Sequence, residues 1–247
     1  MDIIEMDPWK RFNFEDENER MKMPGFNWFN TGQFILNFQT PMEIVNRMNT
    51  LYEDLVSKNQ LQNYSKNLIG KVKNEHSLYL EEDNEHYKKH NFIPDDIHEW
   101  IKDRIHQYLN FLQWEYRGIQ TANAWINDYK AKEYNPIHIH LGRAGVYKPP
   151  LGKSGYPTGL IGMMCLKTPS HYGEEFTNAD NPEHNRAGFT EFVGSCPGKQ
   201  FAGQSVCIRM NEGNFVVFPY DTQHVLYPHF NENETRRTFP TNIDVYT

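Results

Sequence analysis

The feature that most constrains this chain is a change of hydrophobic period near Gln120. Before it, apolar residues recur at helical spacing; beyond it, they alternate or run continuously over short segments. From Pro41 to Lys58, the residues Ile44, Val45, Met48, Leu51, Tyr52 and Leu55 fall on one helical face. Thr40, Pro41 and Glu43 ahead of them read as a capping box with proline at the first helical position. A second helix starts at Pro94, where Asp95 and Asp96 suit the positive end of the helix dipole. Its face is Ile97, Trp100, Ile101, Ile105, Leu109 and Leu112. Single apolar stripes of this kind need a partner surface, so both helices are expected to brace a sheet.

Past Gln120, residues 121–127, 143–148, 159–167, 204–210, 214–218 and 236–246 read as strands. Turn signals separate them, among them Pro149 with Pro150, and Glu212, Gly213 and Asn214. Helices followed by strands predict a mainly β fold with N-terminal α structure, a sandwich or barrel backed by helices on one face. A length of 247 residues suits one domain, with 1–118 as a helical N-terminal support region and 119–247 as the β core. Residues 168–203 are polar and too long for an ordinary connection, so an insertion or lid is expected there. Residues 60–93, charged and rich in Asn, resist assignment.

Composition narrows the function classes. A net charge of -7 and a pI near 5.9 argue against general nucleic-acid binding, which needs clustered Lys and Arg to displace phosphate counterions. Cys165, Cys196 and Cys207 lie far apart with no paired spacing, which suggests neither a disulfide framework nor a zinc knuckle and fits a reducing, cytoplasmic setting. The N-terminus carries acids where a secretion signal carries bases, and no stretch approaches the roughly 20 apolar residues of a membrane-spanning helix. Export and membrane insertion are therefore not expected.

Chemistry concentrates in three places. His138 and His140 sit two residues apart in an extended context, and strand alternation sends such a pair to one face, where both imidazoles can converge on one point. Such a pair alone is also common on polar surfaces. Far along the chain, Gly213 to Pro219 form a turn and a buried strand that deliver His224 to the start of the next strand. Three imidazoles suit Fe, Zn, Cu or Ni, and can occupy one face of an octahedral ion while leaving positions open. Then come Arg236, Arg237 and Thr238: in a strand, Arg236 and Thr238 face one pocket that would fit a dicarboxylate, and Arg237 faces away. Solvated surface charge is the plainer account of two adjacent arginines.

Together these pieces resemble the 2-oxoglutarate/Fe(II)-dependent oxygenases, whose signature is HxD/E, a distant His, and a basic residue followed by Ser or Thr. The details are most similar to the phage and marine-bacterial members: Trp125 and Asn127 on one strand, His138 and His140 running into Gly145, Val146 and Tyr147, Gly213 to Pro219 before His224, and the closing Arg236 and Thr238. The resemblance covers residues 121–246 and implies a double-stranded β-helix of the jelly-roll kind, of about eight strands in two sheets. It implies Fe(II) held by His138, His140 and His224, with 2-oxoglutarate as cosubstrate and Arg236 and Thr238 on its distal carboxylate. Tyr129, Tyr147 and Asn127 are further candidates for cosubstrate contact, the two tyrosines serving equally well as core. Dioxygen would be the other reactant. The prime substrate stays open, a peptide or small molecule being favoured over nucleic acid, as does the oligomeric state.

One departure matters. His140 stands where the broader pattern has a carboxylate, which makes the site more positive and alters metal preference and redox potential. It keeps two other readings open: a three-histidine iron dioxygenase that does not use 2-oxoglutarate, and a non-enzymatic, metal-retaining cupin-like binding or virion-associated protein. Asp221, close to His224, is a candidate to orient an imidazole, or simply a turn residue. Glu174 and Glu175, in the expected lid, are candidates to supply a carboxylate from outside the histidine strand, with solvated charge the plainer account.

Overall fold

A computed structural model of the chain describes residues 26–67, 70–81, 83, 88–140, 158–173, 186–194 and 205–246. Their elements are β1 (Phe26–Asn30), β2 (Phe34–Gln39), α1 (Met42–Ser57), β3 (Glu75–Leu80), β4 (His90–Asn91), α2 (Asp95–Phe111), β5 (Gly118–Tyr129) and β6 (Asn135–His138). They continue with β7 (Thr158–Lys167), β8 (Thr190–Phe192), β9 (Val206–Ile208), β10 (Asn214–Pro219), β11 (His224–Leu226) and β12 (Arg236–Tyr246).

The strands form two antiparallel sheets. The large one runs β1-β2-β10-β7-β12-β5-β3-β4 and the small one β6-β11-β8-β9. Alternation along the central strands sorts their side chains into two cores. Leu160, Met164 and Leu166 of β7, with Phe215 and Val217 of β10, pack against Val45, Met48, Ile97, Ile101 and Ile105 of the helices. Ile161, Met163 and Cys165, with Val216 and Phe218, instead face Phe192 and Ile208 of the small sheet. Burial on both faces explains why residues 159–167 read as a continuous apolar run. The expected mainly β, jelly-roll architecture braced by helices is what the chain adopts.

The N-terminal region departs from the helical support expected for residues 1–118. It supplies both helices, but β1 to β4 come from it as well and complete the large sheet at both edges. Residues 60–93, which lacked a clear period, hold β3 between β5 and the short β4, so sheet pairing rather than local pattern defines that strand. The stretch 168–203, expected to be an insertion or lid, contains β8, the centre of the pairing with β9 and β11. The strand expected over 204–210 is shorter, at Val206–Ile208. The one expected over 143–148 lies outside the described residues.

The capping box does not form. Pro41 itself is the N-cap of α1, with no side-chain cap, and its carbonyl receives the Ile44 and Val45 N–H groups. The Thr40 N–H donates to the Gly213 carbonyl at 2.7 Å, which ties Thr40 to the sheet, and its hydroxyl is buried without a partner. Gly213 has φ +86°, and a Cβ there would meet Gln39 at 2.3 Å, so this turn requires glycine. Among the described residues no helix is long and apolar enough to cross a membrane.

Candidate metal centre

The small sheet carries the histidines. His224 opens β11 directly opposite His138, the last residue of β6, and directly opposed antiparallel residues hold their Cβ atoms about 5 Å apart. His140 lies beyond the end of β6, so the simple i, i+2 strand argument gives the right outcome by a different route. Its backbone N–H donates to the Tyr220 carbonyl at 2.8 Å, and its ring centroid lies 5.1 Å from that of His224 and 5.3 Å from that of His138. The three potential ligand atoms lie within 4.8 Å of one another, and the Nε2 atoms of His140 and His224 are 3.3 Å apart. Two nitrogens on one ion at about 2.1 Å and a right angle would be separated by about 3 Å, so the spacing fits a shared metal.

Backbone carbonyls fix the tautomers. His224 Nδ1 lies 2.9 Å from the Thr222 carbonyl and His138 Nδ1 2.7 Å from that of Pro136, so these nitrogens donate and each Nε2 keeps its lone pair for a ligand role. Asn135 Nδ2 lies 3.2 Å from His138 Nε2. Phe192 and Phe218 pack around the His224 ring, and Trp125 lies against His140. Burial disfavours the charged imidazoles and pushes His224 down to about 3. It also depresses His138, and His140 falls well below its ordinary range through burial and the neighbouring His224 and His138. All three are therefore neutral at pH 7, the form a metal ligand needs. Asp221 plays no part in this: it accepts from Gln33 at 2.7 Å, and the Thr222 carbonyl orients His224 instead.

The large sheet supplies the floor. Across three neighbouring strands Thr238 of β12 opposes Asn127 of β5, which opposes Glu75 of β3; one row along, Arg236 opposes Tyr129. Glu75, Asn127, Tyr129 and Thr238 line one cavity of about 290 Å³ with all three histidines. The Asn127 amide is satisfied when it donates to Glu75 Oε2 (2.8 Å) and accepts from Trp125 Nε1 (3.1 Å). Tyr129 is buried, and that burial holds its phenol well above its usual range.

Arg236 is 1% exposed, yet its guanidinium makes only one described hydrogen bond, Nη2 to Thr190 Oγ1 at 2.9 Å. Its Nε and Nη1, and the Thr238 hydroxyl, are buried without partners. Unsatisfied buried donors are costly, and a carboxylate is the group that a guanidinium and a hydroxyl together would accept. Arg236 is not on the cavity wall itself; Thr238 and Tyr129 are. Arg237 faces the opposite side, as expected, though it is not solvated charge: it binds Asp128, Glu53 and Asn49 over the Tyr52 ring.

Tyr147, Glu174 and Glu175 lie outside the described residues. Glu75, Asn135 and Asn242 line the cavity without having been singled out in the sequence. Residues 75–80 carry no polar and apolar alternation, so only the register of Glu75 opposite Asn127 shows which way it faces.

No protein-family model matches the chain, and no curated protein matches it either. Solved structures do resemble it. The non-haem alpha-ketoglutarate-dependent carbocyclase SnoK, from nogalamycin biosynthesis, superposes with a TM-score of 0.51 at 13% identity, over 94% of this chain and 84% of that one. A prolyl-4-hydroxylase from Pseudomonas putida gives a TM-score of 0.49 at 9% identity, over 86% and 92% of the two chains. The viral collagen prolyl hydroxylase of Paramecium Bursaria Chlorella virus-1, in complex with 2OG, gives 0.47 at 13% identity, over 85% and 95%. At such identity a likeness is one of fold, and the fold this chain shares with SnoK extends over nearly its whole length.

Proposed function

We propose that this protein is a non-haem Fe(II), 2-oxoglutarate-dependent oxygenase of the hydroxylase type. The observation that carries the reading is the convergence of three neutral imidazoles, His138, His140 and His224, in a cavity lined by Thr238, whose hydroxyl is buried without a partner, as are Nε and Nη1 of Arg236 on the same strand. Fold analogy with SnoK adds to it, although a shared fold alone does not fix a reaction. Iron with 2-oxoglutarate and dioxygen would supply the oxidising chemistry: decarboxylation of the keto acid to succinate and carbon dioxide takes one oxygen atom of dioxygen into succinate, and the other enters the substrate C–H bond as a hydroxyl.

The chain's own share is positioning. His138, His140 and His224 would hold the metal, and Thr222 and Pro136 carbonyls fix two of the rings. Arg236 and Thr238 would receive the distal carboxylate, and the Tyr129 phenol and Asn127 amide would meet the cosubstrate from the floor. Phe192, Phe218 and Trp125 keep water away from the imidazoles. A peptide or small molecule is the favoured prime substrate.

The test is anaerobic loading with Fe(II), addition of 2-oxoglutarate, and measurement of the visible metal-to-ligand charge-transfer band that keto acid chelation produces. The band is expected in the natural protein, absent in His224→Ala and weakened in Arg236→Ala. Iron uptake with no band would defeat the 2-oxoglutarate assignment. His140 in a carboxylate's place favours the second reading, a three-histidine iron dioxygenase whose organic substrate itself binds the metal; full activity of Arg236→Ala without 2-oxoglutarate would select it.

A further inference from the structure

Three imidazoles leave a divalent ion with its whole charge, whereas a carboxylate ligand would cancel part of it. The cavity nevertheless contains a carboxylate. Glu75 lies on its wall with His138, His140 and His224, supplied by β3 rather than by the strand that carries the paired histidines. It is outside the group of convergent ligand atoms, which consists of the three histidines.

Glu75 is in an unusual electrostatic position. Among the described residues it has no ion pair, and its side chain accepts one hydrogen bond, from the neutral Asn127 amide. Burial without a cation pushes its pKa up to about 7. The groups around it are the Tyr129 phenol, whose ionisation its charge opposes, the Trp125 indole reached through Asn127, and the neutral histidines across the cavity. A glutamine would serve as well as hydrogen-bond partner to Asn127 at no cost in buried charge. A carboxylate in this place makes physical sense when a cation shares its cavity.

We propose that Glu75 is the anionic partner of the metal centre: a carboxylate on β3 that balances the ion's charge from the cavity wall without being one of its ligands. The inference rests on the metal site proposed above and adds a residue to it. The charge that His140 fails to supply is, on this account, supplied across the cavity, where it also weakens the pull of the metal on anions entering the site.

That last point yields a signature that a purely structural role would not produce. Neutralising Glu75 should weaken the metal and strengthen an anion bound to the metal, two effects of opposite sign. Co(II) serves as the metal probe, followed by its absorption spectrum, and oxalate as the anion probe, titrated into the Co(II)-loaded protein. Glu75→Gln is expected to bind Co(II) about tenfold more weakly, the usual scale for partners outside the ligand set, and oxalate several-fold more tightly. Glu75→Met, similar in length and uncharged, should give the same split and carries the test if the glutamine variant does not fold. Loss of both affinities, or no change in either, overturns the role of Glu75 while His224-dependent Co(II) uptake leaves the metal site standing. Absence of any His224-dependent uptake in the natural protein overturns the metal site, and this role falls with it.

Discussion

Arg236 and Arg237 are neighbours on β12, and they point into two regions with different polar chemistry. On the helix side of the large sheet, every nitrogen of the Arg237 guanidinium is bonded: its Nε and Nη2 bind Asp128, its Nη1 binds Glu53 and Asn49, and the group lies 4.5 Å from the Tyr52 ring centroid. On the side facing the histidines, Arg236 is more deeply buried and keeps two nitrogens unbonded, next to the unbonded Thr238 hydroxyl. A buried cation whose hydrogen bonds all close within the protein fastens one element to another, here α1 to the end of β5. A buried cation that leaves donors open is an incomplete site that stores recognition for something else. Satisfaction, more than burial or charge, separates the structural arginine from the one proposed to receive a carboxylate.

That contrast can be broken by experiment, beginning with the largest effect. His224→Ala should abolish stoichiometric binding of Fe(II) or Co(II), since it removes one of the three proposed ligands; anaerobic titration reads this directly, and retained binding would place the metal elsewhere. Next comes the acid sensitivity of the metal-free protein. Burial holds His224 at about 3 in the native state, against an ordinary 6.5. The unfolded chain therefore takes up more protons between those values. The stability contributed by the neutral ring is complete above about pH 6.5 and is lost as pH falls toward 3. Urea midpoints in the presence of a chelator should follow that fall, with a shallower slope in His224→Gln.

The paired arginines give the middle of the range. Arg237→Ala should cost on the order of 3 kcal/mol of unfolding free energy, because Asp128 is left partly buried without its cation. Arg236→Met should change stability by less than about 1 kcal/mol, having removed donors that were unsatisfied to begin with, yet weaken 2-oxoglutarate binding by at least about tenfold. If Arg236→Met is the more destabilising of the two in denaturant melts, the distinction drawn from their hydrogen bonds is wrong. The smallest effect is that of Thr238→Val, which keeps the shape and removes an unpartnered hydroxyl. Its stability should stay within about 1 kcal/mol of the natural protein while the affinity for 2-oxoglutarate falls a few-fold by calorimetry.

Legibility in the sequence followed how local each signal was. The α1 and α2 stripes, the continuous run of β7, and the spacing of Arg236 and Thr238 on β12 all express a period that one segment carries by itself. The failure at Thr40 is of the opposite kind: its residues match a capping box, but a hydrogen bond to Gly213, far along the chain, takes the backbone elsewhere. The local pattern of residues 26–39 does not mark β1 and β2 as strands. Ile35 and Leu36 are buried on opposite faces, so no polar alternation marks β2 as a strand.

The sequence by itself determined the fold class and nominated the three histidines, because residue chemistry and strand periodicity are written along the chain. Tertiary structure decided what those residues meet. The His140 backbone is tied to the Tyr220 carbonyl, Arg237 becomes a fastener because α1 lies against it, and Glu75 enters the cavity because β3 pairs in register with β5. Each depends on contacts between residues distant in sequence, and a local pattern cannot specify which distant backbone will be there to complete them.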